Sequence, residues 1–369
     1  MGKFNVLPMR GHGRGASLAG LGLILFPALD VGRENLEVRT PDPGHDQQAL
    51  QAIGPVLSKR SSTRRALDVS LGDPVNLLSV PTVLVLGAGA SKPFGFPLGS
   101  GLKGELLKQV NGNQTQNTLR KLGFDNALLD LFRGALQYGT HQTVDILLER
   151  KSNLRELGSY LIATALIPLE HNEALFPQRD WYGDLFDLLQ MEDEACTADK
   201  LAIVTLNYDR SFEHFLTMNI EYNCRHERVD FAHQNRKKIR VVHAHGCLGE
   251  YPSVPYGIDM SNPDAIRSAA EKIKIVSDRL DNSPDFQAAK TLIQQAKQVI
   301  FLGFGYNETT LSALLSEAPI HEIKFYGTAM HLDPKDRDRI KTLFDNDIIL
   351  GDGKQDSVTF LRTIGAFPG

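Results

Sequence analysis

From about residue 80 onward, short apolar runs alternate with longer stretches whose apolar residues recur at helical spacing. The first run, Val83–Leu86, has two β-branched residues and no polar interruption, which is typical of a strand buried on both faces of a parallel sheet. Further strands are predicted at Leu201–Thr205, Ile239–Gly246, Gln298–Leu302, Lys324–Thr328 and Ile348–Leu350. Helices are predicted at Arg210–Thr217, Thr309–Ser316, Asp336–Phe344 and Asp356–Ile364. This alternation predicts an α/β fold with a doubly wound parallel sheet.

The segment between the first two strands is helical in character. Leucines recur at helical spacing in Gly101–Val110 and Thr118–Gln137, and the spacing continues through Leu154–Leu169. We interpret these leucines as core material, with no cofactor implied. The pattern therefore predicts a largely helical insertion over residues 100–200.

The first eighty residues differ from the rest of the chain in their residue pattern. Glycines and prolines interrupt them, and neither a period of two nor one of 3.6 runs through them. Ala19–Leu29 is apolar and follows several basic residues, as in a signal peptide, but it is shorter than the roughly 20 residues that span a bilayer. We predict an irregular or partly disordered extension over 1–79, followed by the main domain at 80–369.

Composition narrows the class of protein. The net charge of −4 argues against a protein whose main task is to bind nucleic acid, which normally needs a basic excess. The three cysteines, Cys196, Cys224 and Cys247, lie far apart and form no Cys-x-x-Cys pair. That excludes a four-cysteine zinc ribbon and argues against a disulfide framework. We expect a cytoplasmic protein without a membrane segment, a nucleic-acid signature or a metal site.

The first predicted strand runs directly into a glycine turn, Gly87-Ala88-Gly89-Ala90-Ser91. Without a Cβ, glycine allows a sharp turn and lets a phosphate approach backbone N–H groups. The third glycine of a Gly-x-Gly-x-x-Gly fingerprint is missing, since Lys92 stands there, so an ordinary dehydrogenase loop is not indicated. The turn predicts a nucleotide site, and the alternative is a tight turn that binds nothing.

Polar or glycine residues also end the later strands. Asn207 and Asp209 follow the second strand, at the sheet edge where α/β folds keep their ligands, although Asp209 could also cap the next helix. His243 and His245 end the third strand, and an extended segment would place both on one face. Either could serve as a general base, or both as structural residues, and no carboxylate or cysteine set completes a metal site with them.

Together these strand ends resemble the ordered motifs of the sirtuin-like family: Gly87-Ala-Gly-Ala-Ser with Gly95-Phe-Pro, Thr205-Leu-Asn-Tyr-Asp209, His245-Gly246 and Gly303-Phe-Gly-Tyr. The pattern is most similar to prokaryotic sirtuin-like proteins that consume NAD in antiphage defence. The resemblance covers about residues 80–365 and implies a Rossmann-like fold. It implies that Asn207 and His245 are catalytic and that NAD is bound by Gly87, Ala88, Gly89, Ser91, Phe96, Pro97, Asp209, Gly303, Phe304, Gly305 and Tyr306.

Two departures from the family change the expected reaction. The protein deacylases carry a zinc module held by two Cys-x-x-Cys pairs, which this chain lacks, and after Pro97 it has Leu98-Gly99-Ser100 in place of an acidic residue, Phe and Arg. The resemblance therefore favours NAD hydrolysis to nicotinamide and ADP-ribose, with NAD as substrate and no zinc. An NAD-dependent deacylase or ADP-ribosyltransferase and a non-catalytic NAD-sensing module remain alternatives. Because an unregulated NAD hydrolase would harm its host, we expect control by homo-oligomer assembly or by an activator.

Overall fold

Six parallel strands form one sheet in the order β3-β2-β1-β4-β5-β6. The strands are β1 (Thr82–Leu86), β2 (Leu201–Thr205), β3 (Arg240–His243), β4 (Gln298–Leu302), β5 (Lys324–Gly327) and β6 (Ile348–Leu350). The computed structural model describes residues 74–139, 143–176, 180–189, 198–223, 234–275 and 283–367. The doubly wound parallel sheet is confirmed, and it has a Rossmann-like strand order.

Helices cover both faces of the sheet. They are Ala88–Ser91, Gly99–Asn111, Asn113–Lys121, Asn126–Tyr138, Val144–Arg150, Arg155–Leu166, Asn172–Leu175, Trp181–Leu189, Ser211–Asn223, Pro263–Ala270, Pro284–Gln295, Glu308–Leu315, Pro334–Leu343 and Ser357–Thr363. Eight of these lie between β1 and β2, which agrees with the predicted helical insertion. Within the described ranges, no helix combines the length and apolar content that a membrane crossing requires.

The core is divided by the sheet into two layers. Along β1, Leu84 packs with the layer that contains the insertion helices, whereas Val83 and Val85 pack with the opposite layer. The opposite layer is built from three helices of the carboxyl-terminal half: Pro284–Gln295, Glu308–Leu315 and Pro334–Leu343. This division explains the continuous apolar runs in the sequence, since a strand covered on both faces needs apolar side chains on both.

β1 lies at the centre of the sheet, between β2 and β4. The chain builds β2 and β3 on one side of β1 and then builds β4, β5 and β6 on the other. The helices that follow β1 and β4 therefore pack on opposite faces of the sheet, and in doubly wound sheets ligands commonly bind near such a switch point. A ligand site is expected there.

The structure describes only part of the predicted boundary between the amino-terminal extension and the main domain. Residues 1–73, including the apolar run Ala19–Leu29, lie outside the described residues. Val75 and Leu77 are buried, and the Val75 N–H donates to the Ile364 carbonyl, so residues just before the predicted domain start at 80 already pack on it. The division at residue 79 stays a prediction.

Candidate functional site

The glycine turns after β1 and β4 are in direct contact. The Gly89 N–H donates to the Gly303 carbonyl at 2.9 Å, and a Cβ on Gly89 would lie 2.6 Å from Gly303 Cα. Gly303 has φ +58°, and a Cβ there would lie 2.1 Å from the Ala90 nitrogen. These glycines therefore allow one loop to pack on the other. Because the Gly89 N–H is already bonded within the protein, a bound phosphate needs other donors of this loop.

A cleft opens beside the Gly87 turn, between the sheet edge and the helical insertion. It holds about 510 Å³ of empty space, part of which is open solvent. Six of the predicted site residues line it: Ala88, Ser91, Phe96, Pro97, Asn207 and Asp209. The structure thus brings together the predicted residues that follow β1 and β2.

Asn207 is held rigidly at the edge of this cleft. Its amide nitrogen donates to the Gly87 carbonyl and to Ser91 Oγ, both at 2.9 Å, so both amide hydrogens are used. Its backbone N–H bonds to Thr205 Oγ1. No described residue donates to Asn207 Oδ1, which leaves this oxygen as the acceptor that can meet a ligand.

The Ser91 hydroxyl connects Asn207 with buried Asp209, and further hydroxyl groups lie on the other side of Asp209. Hydrogen bonds from Ser91 and Ser211 reach the Asp209 carboxylate, and Tyr182 in turn contacts Ser211 Oγ at 2.9 Å. Burial raises the pKa of Asp209, and these hydrogen bonds oppose that rise. The Ser211 N–H also bonds to Asp209 at 3.2 Å. Asp209 therefore supports the start of the next helix as well as lining the cleft. That helix runs over Ser211–Asn223, beyond the predicted Arg210–Thr217.

His245 lies in a turn, two residues past the end of β3, so the prediction that it shares a strand face with His243 is wrong. After His243 the chain enters a turn in which the Gly246 N–H donates to the His243 carbonyl at 3.0 Å; Gly246 has φ +74°, and a Cβ there would lie 1.9 Å from the Lys272 carbonyl oxygen. His245 hydrogen-bonds to the Leu206 backbone, next to Asn207, which places the two predicted catalytic residues on the same edge of the sheet.

The His245 ring is buried beside the cleft and is not part of its wall. Among the described residues, its Nε2 has no hydrogen-bond partner. Burial lowers the pKa of His245, and the nearby Asp145 carboxylate opposes this effect. A neutral imidazole with a free Nε2 is the form that a general base requires.

Cys247, two residues further along the chain, is not suited to acid–base or nucleophilic chemistry. Its thiol donates to the Gly249 carbonyl, and burial raises its pKa to about 12. A thiol that stays protonated at neutral pH is a poor nucleophile.

The remaining predicted residues, after β4, contribute mainly to packing. The Phe304 and Tyr306 side chains are buried in the layer opposite the insertion, and the Tyr306 hydroxyl donates to the Thr328 carbonyl at 3.1 Å. Among the described residues, none has a heavy atom within 4 Å of the place where a Cβ on Gly305 would stand. Any contact of this turn with a ligand would therefore come from its backbone.

Two of the cleft residues that were not predicted as site residues, Asp145 and Tyr208, have polar side chains. Asp145 lies in the first turn of the helix Val144–Arg150, and its carboxylate accepts a hydrogen bond from the Tyr208 hydroxyl at 3.2 Å. Both line the cleft. In the sequence, Asp145 looks like an ordinary acidic residue in a first helical turn. Only the tertiary contact with Tyr208, sixty-three residues away, reveals it.

The lining has an unusual charge balance. It contains the carboxylates of Asp145 and Asp209 and, among the described residues that form it, neither lysine nor arginine. Its other walls are largely apolar, including Phe96, Leu102 and Leu166. Such a cleft suits a flat or sugar-like group that carries positive charge better than it suits a phosphate.

The strand order defines a Rossmann-like α/β protein, and the cleft lies at the carboxyl ends of β1 and β2, beside the switch point between β1 and β4. A sequence model of the SIR2-like domain matches residues 201–331. This supports the sirtuin-like family, implies NAD binding and suggests an NAD-dependent enzyme. The match includes Asn207, Asp209, His245 and the Gly303 turn, but not the Gly87 turn. No curated protein matches the chain.

Proposed function

We propose that this protein hydrolyses NAD, breaking the bond between nicotinamide and ribose to give nicotinamide and ADP-ribose. The observation that carries this proposal is Asn207, whose amide hydrogens are both fixed while its Oδ1 remains available beside the cleft. A rigid acceptor is suited to orienting a ribose hydroxyl or a water molecule. The SIR2-like match supports NAD as the molecule so oriented.

The reaction needs little from the protein beyond positioning and charge. As the glycosidic bond breaks, its electron pair moves to the pyridinium nitrogen, the ring loses its positive charge and positive charge develops on the ribose. Water adds to the anomeric carbon and gives up one proton. In this proposal Asn207 orients the ribose or the water, His245 accepts the proton, and the carboxylate of Asp145 stabilises the developing charge.

Water is favoured as the acceptor over a protein side chain. Three cysteines cannot provide the four thiolates of the deacylase zinc module, and Leu98-Gly99-Ser100 replaces the deacylase pattern after Pro97. Both departures disfavour an acyl-lysine peptide as substrate. Deacylation or ADP-ribosylation is therefore the lesser alternative.

We also propose, from the resemblance in sequence, that the protein is a regulated cytoplasmic effector of antiphage defence. Its activity would be released by homo-oligomer assembly or by an activator. The burial of His245 Nε2 is consistent with restraint, because His245 is not among the described residues that line the cleft. Assembly could relieve this burial, and oligomeric state should be recorded with every activity measurement.

The test is release of nicotinamide from NAD by the full chain, followed by chromatography, over a range of protein concentrations. Asn207→Ala should lower turnover by about 10²-fold or more, as expected for loss of a preorganised polar group. Asn111→Ala is the matched control, because its amide bonds only within its own helix, to the Leu107 carbonyl. It should behave like the wild type.

Other outcomes separate the alternatives. If NAD raises the melting temperature of the wild type but nicotinamide is never released, the hydrolase proposal is refuted and the sensing module is favoured. A labelled acyl or ADP-ribosyl product on a protein would instead favour the transferase alternative.

A further inference from the structure

Hydrogen bonds join the segments that follow β2 and β3. Backbone N–H groups and histidine rings of residues 243–248 bond to the backbone of residues 205–208. The bond to the Asn207 carbonyl is made by a side chain, His243, whose Nδ1 lies 3.1 Å from that oxygen. His243 thus holds the backbone of the residue whose side chain faces the cleft.

The other nitrogen of the His243 ring also faces an acceptor. Nε2 lies 2.7 Å from Glu213 Oε1, on the helix that follows Asn207 along the chain. A neutral imidazole has only one N–H, whereas both contacts require a donor when the Glu213 carboxylate is ionised. With Glu213 ionised, both hydrogen bonds are made only by a doubly protonated ring.

Water has little access to these two hydrogen bonds, because the side chains of His243 and Glu213 are largely buried. The exposed fractions of the two side chains are 12% for His243 and 8% for Glu213. Burial by itself lowers the pKa of His243, but the Glu213 carboxylate and the Asn207 carbonyl outweigh it, so the pKa is raised. Conversely, the imidazolium overcomes the effect of burial on Glu213 and lowers its pKa. Two further charges favour the ion pair: Asp209 acts on His243 and Arg236 on Glu213.

We propose that His243 is a positioning residue, an imidazolium braced by Glu213 that fixes the backbone of Asn207 so that its amide reaches Gly87 and Ser91. The imidazolium makes charge-assisted bonds, which are about twice as strong as neutral ones. Loss of the charge loosens Asn207 without removing any group that touches the substrate. The effect on turnover rests on the proposed NAD hydrolysis, but the contact with Asn207 does not.

The contact is tested by NMR on the full chain with ¹⁵N-labelled histidine and asparagine. His243→Gln identifies the His243 signals by their absence. In the wild type at pH 7, both ring nitrogens of His243 should show imidazolium shifts, and Glu213→Gln should lower its pKa. His243→Gln should also move the side-chain amide signals of Asn207. Glu221→Gln, which removes a carboxylate further along the same helix, should change neither.

Kinetics then test the consequence. His243→Gln and Glu213→Gln should lower kcat by about tenfold or more, as for loss of a hydrogen bond to a charged group, with less change in KM and near wild-type activity in Glu221→Gln. The pKa of His243 is raised, so wild-type activity should fall as the pH rises through that pKa and the ring loses its charge. The pH profile of His243→Gln should lack this fall in activity.

The outcomes are distinguishable. A neutral His243 ring at pH 7, or Asn207 signals unmoved by His243→Gln, overturns the inference whether or not NAD is consumed. Wild-type protein that consumes no NAD but shows the expected NMR signals refutes only the proposed function. Variants with kcat within twofold of the wild type overturn the positioning role.

Discussion

Replacing Gly303 by alanine tests whether the contact between the two glycine turns holds the site together. The added Cβ would stand 2.1 Å from the Ala90 nitrogen and 2.2 Å from the Gly89 carbonyl carbon, both of them backbone atoms that cannot rotate away. In addition, Gly303 has φ +58°, a conformation that side chains disfavour. One methyl group should therefore push the Gly87 turn away from the β4 turn.

The expected loss of stability can be worked out from these two effects. A left-handed backbone costs an L-residue about 1–2 kcal/mol, and crowding in a packed site costs about 1–3 kcal/mol. The sum is about 2–5 kcal/mol, with a fall in Tm of roughly 5–15 °C for a domain of this size. Gly305→Ala is the matched control, since its Cβ would meet nothing within 4 Å. It should change stability by less than about 0.5 kcal/mol.

The assay is urea unfolding of the two variants beside the wild type, together with nicotinamide release. Gly303→Ala should lose both stability and turnover, because the Gly87 carbonyl that holds Asn207 moves with its turn. Gly305→Ala should keep its stability, and a raised KM in that variant would indicate that the substrate passes along the β4 turn. Equal unfolding free energies for Gly303→Ala and Gly305→Ala would refute the direct contact between the turns.

Three further predictions concern single ionisable or amide groups. Asn207→Asp replaces both amide donors by a carboxylate that faces two oxygen acceptors, so NAD turnover should fall by about 10²-fold or more, and turnover near wild type would contradict the proposed role. Asp145→Asn keeps the shape of the side chain but removes its charge, so kcat/KM should fall by about tenfold, whereas Glu149→Gln on the same helix should have little effect. Burial, with a smaller effect of the nearby arginine, lowers the pKa of His214 to about 4, so the folded state resists protonating it. The unfolding free energy should therefore fall as pH drops from about 6.5 towards 4, by about 1 kcal/mol between pH 7 and pH 5 after allowance for solvent screening, and the His214→Gln variant should lack this part of the slope.

The sequence predicts the sheet well because its strands carry their own signal. β2 and β4 begin and end at the predicted residues, since each is a buried apolar run followed at once by polar or glycine positions. β3 was predicted to extend to Gly246, but it ends at His243. The turn that follows includes Gly246, which packs closely against the Lys272 carbonyl, and a contact between segments so far apart in the chain cannot be read from the local sequence.

The sequence predicts which strand ends form the candidate site, but it does not predict most of the side-chain contacts within it. The polar residues at the ends of β1 and β2 do meet in one cleft, as the geometry of a parallel sheet requires. Asp145 was not predicted as a site residue, because it reaches the cleft only through the packing of the insertion. Phe304 and Tyr306 lie in the core for a similar reason: the β4 turn presents its backbone to the Gly87 loop and its rings to the opposite layer.

The charges in the cleft restrict how NAD could lie there. Asp145 and Asp209 would repel the diphosphate but attract the pyridinium ring and the positive charge that develops on the ribose. The diphosphate would then have to lie outside this cleft, towards donors of the Gly87 loop that are not already bonded within the protein. With this placement, the Asn207 and Asp145 oxygens would face the end of the molecule where the bond breaks. Because positive charge moves from the pyridinium ring to the ribose during the reaction, carboxylates that lie closer to the ribose than to the ring would stabilise the transition state more than the bound dinucleotide, which is the condition for catalysis.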